Sequence, residues 1–155
     1  MHVIIEGTDG TGKTTLAKHL VEKLGASYHH SSAETDNDFT YHMNLLEKSQ
    51  PQVLDRFQIG ELIYPIIFGR ESKLDFSSAA MLSRVEDVMT VVLYSSDEEF
   101  LRKRLQDRDQ FVEEHVFMAN KLFKMIADIF VILGIDVLLI DVSKNDPLRM
   151  VEMYL

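Results

Sequence analysis

One short stretch, EGTDGTGKTT at residues 6–15, restricts the architecture of this chain more than any other. Residues 7–14 fit the pattern G-x-x-x-x-G-K-[ST], with a β-branched apolar run before it and helical spacing after it. Glycines let a backbone bend around a phosphate with its N–H groups pointing inward, and a helix beginning near Lys13 adds its positive end. We therefore predict a phosphate-binding loop for a nucleotide triphosphate, in which Lys13 reaches the β- and γ-phosphates and the Thr14 hydroxyl binds Mg²⁺. The residues assigned to the nucleotide are Gly7, Asp9, Gly10, Thr11, Gly12, Lys13, Thr14 and Thr15.

Strands and helices alternate along the rest of the chain. The apolar patterns predict strands at residues 2–7, 26–30, 52–57, 88–96 and 136–142. They predict helices at residues 13–25, 37–50, 59–69 (interrupted at Pro65), 96–109, 112–134 and 146–155. This alternation indicates an α/β fold with a parallel sheet covered by helices on both faces. A length of 155 residues suits a single domain over residues 1–155.

Charge and composition exclude several classes of function. The formal net charge of -9 repels polyanions, so no nucleic-acid partner is expected. The absence of cysteine excludes disulfides and thiolate metal sites. The most apolar run, residues 126–140, is too short to span a bilayer and contains Asp128 and Asp136, so no membrane partner is expected. The N-terminus has no basic segment before an apolar one, and a cytoplasmic protein is predicted.

The triplet Asp55-Arg56-Phe57 is the second candidate for site residues. A carboxylate at the carboxyl end of a strand beside the loop lies where parallel sheets bind ligands. Asp55 could hold Mg²⁺ through water, and Arg56 could clamp an acceptor phosphate. The alternative is a surface ion pair at the end of a strand.

The segment LRKRLQDRD holds the densest group of cations in this acidic chain. Arg104 and Arg108 are four residues apart and share a helical face. Phosphoryl transfer requires positive charge around the migrating phosphate, so both arginines are catalytic candidates. The alternative is a solvated helix face balanced by nearby carboxylates. The six histidines lack zinc-site spacing and are interpreted as structural or surface residues.

Together these stretches resemble the thymidylate kinase branch of the nucleoside monophosphate kinase family. IIEGTDGTGKTTLAKHL resembles its opening, DRF its Asp-Arg-aromatic motif, and VVLYSSDEEFLRKRLQDRD its fourth strand and lid. DRFQIGELIYPIIFGR is similar to the version in small phage-encoded relatives. The resemblance implies a five-stranded parallel sheet in the order 2-3-1-4-5 and transfer of the ATP γ-phosphate to a deoxynucleoside monophosphate, with Mg²⁺. It also implies small-molecule nucleotide substrates, a possible homodimer and, for a phage-encoded chain, the host cytoplasm.

The resemblance also assigns roles to individual residues. Asp9 matches the loop acid that contacts the sugar 3′-hydroxyl, and Arg56 matches the arginine on the acceptor phosphate. Asp55 matches its neighbour on the metal side, and Tyr64 the aromatic residue near the acceptor base. Two further residues of the same stretch are assigned to the acceptor: Phe57 and Arg70.

Three departures from the family pattern bear on mechanism. Gly10 stands where some members carry a catalytic arginine, which gives Arg104 and Arg108 more weight. Pro65 stands where members carry the glutamine that reads thymine, so thymine specificity does not carry over. The lid is very short, because residues 107–112 pass almost directly into a long helix.

The first hypothesis is therefore a kinase for dTMP or a modified pyrimidine analogue. A nucleoside kinase acting on a 5′-hydroxyl is the alternative, with Glu6 or Asp55 as general base. A P-loop kinase acting on a hydroxymethylated base in DNA is disfavoured by the charge. A catalytically inactive nucleotide-binding regulator is disfavoured by four intact residues: Lys13, Asp55, Arg56 and Arg104.

Overall fold

Five strands form one parallel sheet in the computed structural model, which describes residues 1–32, 37–109 and 112–155. The strands are β1 (His2–Gly7), β2 (Ser27–His30), β3 (Gln52–Asp55), β4 (Val88–Tyr94) and β5 (Val137–Asp141). Their spatial order is β2-β3-β1-β4-β5, so the predicted α/β class and strand order are confirmed. Positions 110 and 111 of the predicted lid lie outside the described residues.

The central strand sets the position of the phosphate loop. In β1, all six residues are buried, and the strand pairs with β3 on one side and β4 on the other. Ile5 lies opposite Asp55, and Gly7 lies opposite Leu93. The loop after β1 and the carboxylate at the end of β3 therefore meet at one edge of the sheet, which is where parallel sheets bind ligands.

Seven helices are present in the described part of the chain. They are α1 (Lys13–Leu24), α2 (Phe39–Leu46), α3 (Gly60–Phe68), α4 (Phe76–Leu82), α5 (Glu98–Leu105), α6 (Glu113–Ile132) and α7 (Pro147–Glu152). Aspartates cap α5 and α7, where Asp97 accepts from the Glu99 N–H and Asp146 from the Leu148 N–H. No helix within the described ranges combines the length and the apolar character needed to cross a membrane.

Successive residues of β1 serve two hydrophobic cores. Ile4 points to the face covered by α3 and α6, where Phe123 and Phe130 are fully buried. Val3 and Ile5 point to the other face, where they join the core that includes Leu16 of α1. Burial on both faces explains the unbroken apolar run of β1. It also makes the sheet a fixed platform for the loop that follows β1.

The structure differs from the predicted elements in three places. The third strand ends at Asp55, because Arg56 adopts a left-handed backbone with φ 68°. Pro65 does not interrupt α3, although proline lacks an N–H for the Glu61 carbonyl. The Ser72 hydroxyl donates to that carbonyl instead, at 2.7 Å. The sequence reasoning missed α4, a single short helix capped by Asp75 through the Ser78 N–H.

Candidate active site

The phosphate loop is held in shape by bonds to its own Thr8. The Thr8 carbonyl accepts from the Thr11 hydroxyl at 2.7 Å and from the Lys13 ammonium at 2.8 Å. The Thr8 hydroxyl donates to the Val116 carbonyl in α6 at 3.2 Å, which ties the loop to a distant helix. Gly10 and Gly12 have φ values of 83° and 90°, a conformation that favours glycine. The loop is therefore organised in the protein before any phosphate arrives.

Two cavities adjoin the loop. The donor-side cavity, of about 290 Å³, is bounded by the loop, α1 and the start of α7. The phosphate cavity, of about 330 Å³, is strongly polar and brings together most of the predicted site. Its lining residues are Asp9, Gly10, Gly12, Lys13, Thr14, Thr15, His30, Arg56, Arg104 and Arg108.

Thr14 and Asp55 form the oxygen pair predicted to hold the metal. The Thr14 hydroxyl donates to Asp55 Oδ2 at 2.8 Å, and the Tyr28 hydroxyl donates to the same oxygen at 2.9 Å. The other carboxylate oxygen of Asp55 is buried and has no hydrogen-bond partner among the described residues. Mg²⁺ prefers oxygen ligands and takes one or two from protein when substrate phosphates supply the rest. The donor set therefore fits Mg²⁺.

Lys13 is buried at the floor of the phosphate cavity, with 6% of its surface exposed. Burial lowers the pKa of its ammonium to about 8, against the pull of Asp9, whose carboxylate lies 3.9 Å away. A phosphate in this cavity would supply the negative charge that a buried ammonium needs. The position is thus electrostatically suited to an anion.

Arg56 is held at the edge of the phosphate cavity by Asp9 and Tyr64. Its guanidinium donates to the Asp9 carboxylate at 2.7 Å and lies 5.5 Å from the centre of the Tyr64 ring. The positive φ of Arg56 carries a strain cost, and such residues cluster at functional sites. The ion pair is partly exposed, so an arriving phosphate can compete with Asp9 for the guanidinium.

Glu6 anchors the turn that carries Arg56. Its buried carboxylate accepts three backbone N–H bonds through one oxygen, from Phe57 at 3.1 Å, Ile59 at 2.7 Å and Gly60 at 3.1 Å. These bonds satisfy donors at the start of α3, which lacks a side-chain cap of its own. Sequence reasoning considered Glu6 only as a general base. Its place before the loop gave no signal of this anchoring role.

Glu6 makes the stability of the fold depend on pH. Burial raises the pKa of its carboxyl from 4.5 to about 7. The resulting stabilisation is complete below pH 4.5 and is lost as pH rises through 7. Between these values, we expect the wild type to lose stability relative to Glu6→Gln, by at most about 1.4 kcal/mol per pH unit. Urea unfolding of both proteins at several pH values measures this difference, and parallel stability curves would contradict it.

Arg104 lies over the loop at the position opposite Gly10. Its guanidinium donates to the Gly10 carbonyl at 3.0 Å and lies 4.9 Å from the Phe100 ring centre. A Cβ at Gly10 would lie 3.0 Å from the side chain of Leu105. Helix α5 therefore occupies the space that a side chain at position 10 would need. In the absence of a loop arginine, Arg104 supplies positive charge above the loop.

The remaining cations of the cluster divide between the site and the surface. Arg108 lines the phosphate cavity with Arg104. Arg102 instead pairs with Glu99 and Glu113 and is partly exposed. Only part of the predicted cationic cluster therefore faces the loop.

Two of the predicted acceptor residues lie elsewhere. Phe57 is 1% exposed and packs edge-on against His42, with ring centres 4.3 Å apart, so it belongs to the core. The Arg70 guanidinium lies 3.6 Å from the Glu61 carboxylate, and Arg70 lines none of the cavities described here. Apolar burial and the Glu61 ion pair explain these placements. Neither side chain lines the cavities described here, and their roles as substrate contacts stay predictions.

Tyr64 lies in a third cavity of about 260 Å³ between α3 and α6, together with Asp9. We name this space the acceptor-side cavity. His115 also lines the acceptor-side cavity, and the exposed His30 lines the phosphate cavity. Residue spacing gave no signal for His115, whereas the position of His30 at the end of β2 beside β3 could have placed it near Asp55.

Comparison with known proteins agrees with this geometry. No protein-family model matches the chain. It is 26% identical over 147 residues to a probable thymidylate kinase of Methanococcus vannielii, covering 77% of this chain and 73% of that protein. Its fold is similar to the YorR protein of Bacillus subtilis, solved with phosphorylated GDP (TM-score 0.81, 18% identity, 99% of this chain and 94% of that chain). It is also similar to deoxyadenosine kinase of M. mycoides, solved with dCMP and dCDP (TM-score 0.61, 17% identity, covering 99% of this chain and 96% of that chain).

The strand order and the organised phosphate loop are those of the fold shared with these solved kinases. In sequence, the chain is similar to a probable thymidylate kinase.

Proposed function

We propose that the protein transfers the γ-phosphoryl group of ATP to a deoxynucleoside monophosphate, dTMP or a modified pyrimidine analogue, with Mg²⁺. The observation that carries this proposal is the position of Arg56. Its guanidinium borders the phosphate cavity and contacts Asp9 and Tyr64 of the acceptor-side cavity. A cation at this boundary suits the phosphate of an acceptor whose nucleoside extends towards Tyr64.

The residues of the site divide the work of the transfer. Lys13 and the loop N–H groups bind the β- and γ-phosphates of ATP. Thr14 and Asp55 would hold Mg²⁺, which would supply positive charge to those phosphates. The Arg56 guanidinium leaves the Asp9 carboxylate and binds the acceptor phosphate. An oxygen of that phosphate attacks the γ-phosphorus, and the bond from γ-phosphorus to the β–γ bridging oxygen breaks, releasing ADP. Arg104 and Arg108 stabilise the charge that spreads over the transferred group.

The engagement of the carboxylates favours a phosphate acceptor over a 5′-hydroxyl. A hydroxyl acceptor needs a general base, whereas an ionised phosphate oxygen does not. Glu6 is fully buried and accepts three backbone N–H bonds. Asp55 accepts from Thr14 and Tyr28 through one oxygen and is assigned to the metal in this proposal. Glu6 is thus committed to the backbone and Asp55 to the metal site, so neither is assigned as the base for an acceptor hydroxyl.

A coupled assay of ADP release with ATP, Mg²⁺ and a panel of nucleosides and nucleoside monophosphates tests the proposal. We expect turnover with deoxypyrimidine monophosphates and none with the corresponding nucleosides. Faster turnover with nucleosides would replace the proposal by a nucleoside kinase, and an absence of acceptor-dependent turnover would reject it.

Arg56→Ala should impair the acceptor more than ATP. A charge-assisted phosphate contact contributes about 1.5–3 kcal/mol, so we expect the acceptor KM to rise about ten-fold or more. Steady-state kinetics with each substrate varied in turn measures this effect. Arg84→Ala is the matched control, because Arg84 is exposed and donates to the Leu133 carbonyl away from the site. A loss of ATP affinity alone would place Arg56 in the donor site.

A further inference from the structure

The acceptor-side cavity between α3 and α6, called the slot below, is lined mainly by aromatic and apolar side chains. We propose that it binds the sugar and base of a pyrimidine monophosphate, and that His115 hydrogen-bonds the edge of the base. This inference rests on the proposed function and names the residue that recognises its acceptor. Sequence reasoning gave His115 no role, and the residue lies on α6, far along the chain from the loop.

Asp9 lines both the acceptor-side cavity and the phosphate cavity, so the two lie side by side. The Asp9 carboxylate contacts Arg56, whose guanidinium lies over the Tyr64 ring. A monophosphate bound to Arg56 would therefore extend its sugar past Asp9, and its base would enter between α3 and α6. The two cavities follow the order of groups in a nucleotide, phosphate first, then sugar, then base.

The walls of the slot suit a flat aromatic ring. On the α3 side, the Tyr64 and Phe68 rings are nearly parallel, with 14° between their planes and 6.1 Å between their centres. The His115 ring meets Phe68 edge-on, at 87° and 5.2 Å. Val116 and Ala119 complete the apolar wall on the α6 side. Aromatic and apolar walls with few polar groups are typical of sites that bind planar ligands.

Few polar side chains of the slot are available to read a base. The Thr8 hydroxyl is engaged by the Val116 carbonyl, and Asp9 pairs with Arg56. Across the described ranges, neither ring nitrogen of His115 has a hydrogen-bond partner, and the buried Tyr64 hydroxyl has none either. An imidazole donates from one nitrogen and accepts at the other, so it can meet a carbonyl or an amino group of a pyrimidine.

The volume of the slot favours a single-ring base. At about 260 Å³, the acceptor-side cavity is slightly smaller than the usual range of ligand sites, about 300–1,000 Å³. It must hold the sugar beside Asp9 as well as the base. A single-ring base needs less of this space than a purine does.

The test compares His115→Phe, which keeps a ring against Phe68, and His115→Gln, which keeps a hydrogen-bonding group, with the wild type. Met118→Phe is the matched control, because Met118 is exposed on the same helix and lines none of the cavities described. Calorimetric binding of dTMP, dCMP, dAMP and dGMP is measured without ATP, and the KM values for acceptor and ATP are measured by coupled assay. Thermal melting verifies that each variant is folded.

We expect His115→Phe to weaken dTMP and dCMP binding about five-fold, with the KM for ATP unchanged, because a net hydrogen bond is worth about 1 kcal/mol. His115→Gln should recover part of the loss, and the purine nucleotides should bind the wild type more weakly. Wild-type-like pyrimidine binding by His115→Phe, or equal purine binding by the wild type, would overturn the inference. If the wild type phosphorylates no acceptor, the proposed function fails, whereas the binding comparison still decides the role of His115.

Discussion

Lys13→Ala should abolish phosphoryl transfer and leave the protein folded. The Lys13 ammonium is buried beside the loop, and no other ammonium reaches the phosphate cavity in the described part of the chain. Its removal eliminates a charge aimed at the β- and γ-phosphates, and losing one preorganised donor of this kind lowers kcat by about 10²–10³ or more. Burial already lowers the pKa of this ammonium to about 8, so the charged group costs stability where it stands. The fold therefore does not depend on it.

ADP release by Lys13→Ala is compared with that of Lys18→Ala, because Lys18 is exposed on the same helix. A melting temperature close to that of the wild type shows that the variant is folded. Retained turnover in a folded Lys13→Ala protein would reject the assignment of the phosphate loop.

Loss of Arg104 or Arg108 should lower kcat by about two orders of magnitude or more, with substrate binding changed much less. Gly10 offers no side chain, so the positive charge that adds to Lys13 and Arg56 around the transferred group comes from Arg104 and Arg108. An interaction made only in the transition state lowers kcat and kcat/KM together when it is removed.

Steady-state kinetics on Arg104→Ala and Arg108→Ala, with each substrate varied in turn, separates two roles. Arg104 lines the donor-side cavity as well as the phosphate cavity. If it serves mainly to stack on the adenine ring, its loss raises the KM for ATP and leaves kcat nearly unchanged. Lys103→Ala is the matched control, an exposed cation on the same helix. If both arginine variants have wild-type kinetics, the segment that carries Arg104 and Arg108 is a solvated helix face and the catalytic assignment is rejected.

Local patterns were sufficient to predict the sheet and the phosphate loop. The shape of the strand-loop-helix segment around Lys13 depends only on nearby residues, because the glycines and the start of the helix lie within a few residues of one another. The alternation of strands and helices fixes a parallel sheet, and the resemblance supplied its order. Both are confirmed by the observed topology.

The rest of the site depends on contacts between residues that are far apart in the sequence. The Thr8 hydroxyl meets a carbonyl 108 residues away, and Glu6 caps a turn about 50 residues away. Periodicity indicates which face of an element is buried but not which partner it meets, so the contacts of Glu6 and the place of His115 beside Phe68 have no local signal. Burial of Phe57 has none either, because the sequence does not show that the residue after Arg56 turns into the core.

Helix α5 packs closely on the phosphate loop, and this packing affects whether an arginine near the transferred phosphate can be placed in the loop or on the helix. A Cβ at position 10 would lie 3.0 Å from the Leu105 side chain, and the backbone there has a φ of 83° that favours glycine. Gly10→Arg alone would therefore require the Leu105 side chain to shift by a few tenths of an ångström and would strain the loop backbone. A smaller residue at position 105 would remove the first of these two costs. We therefore expect a change from lid-borne to loop-borne charge to be tolerated better when position 105 changes first.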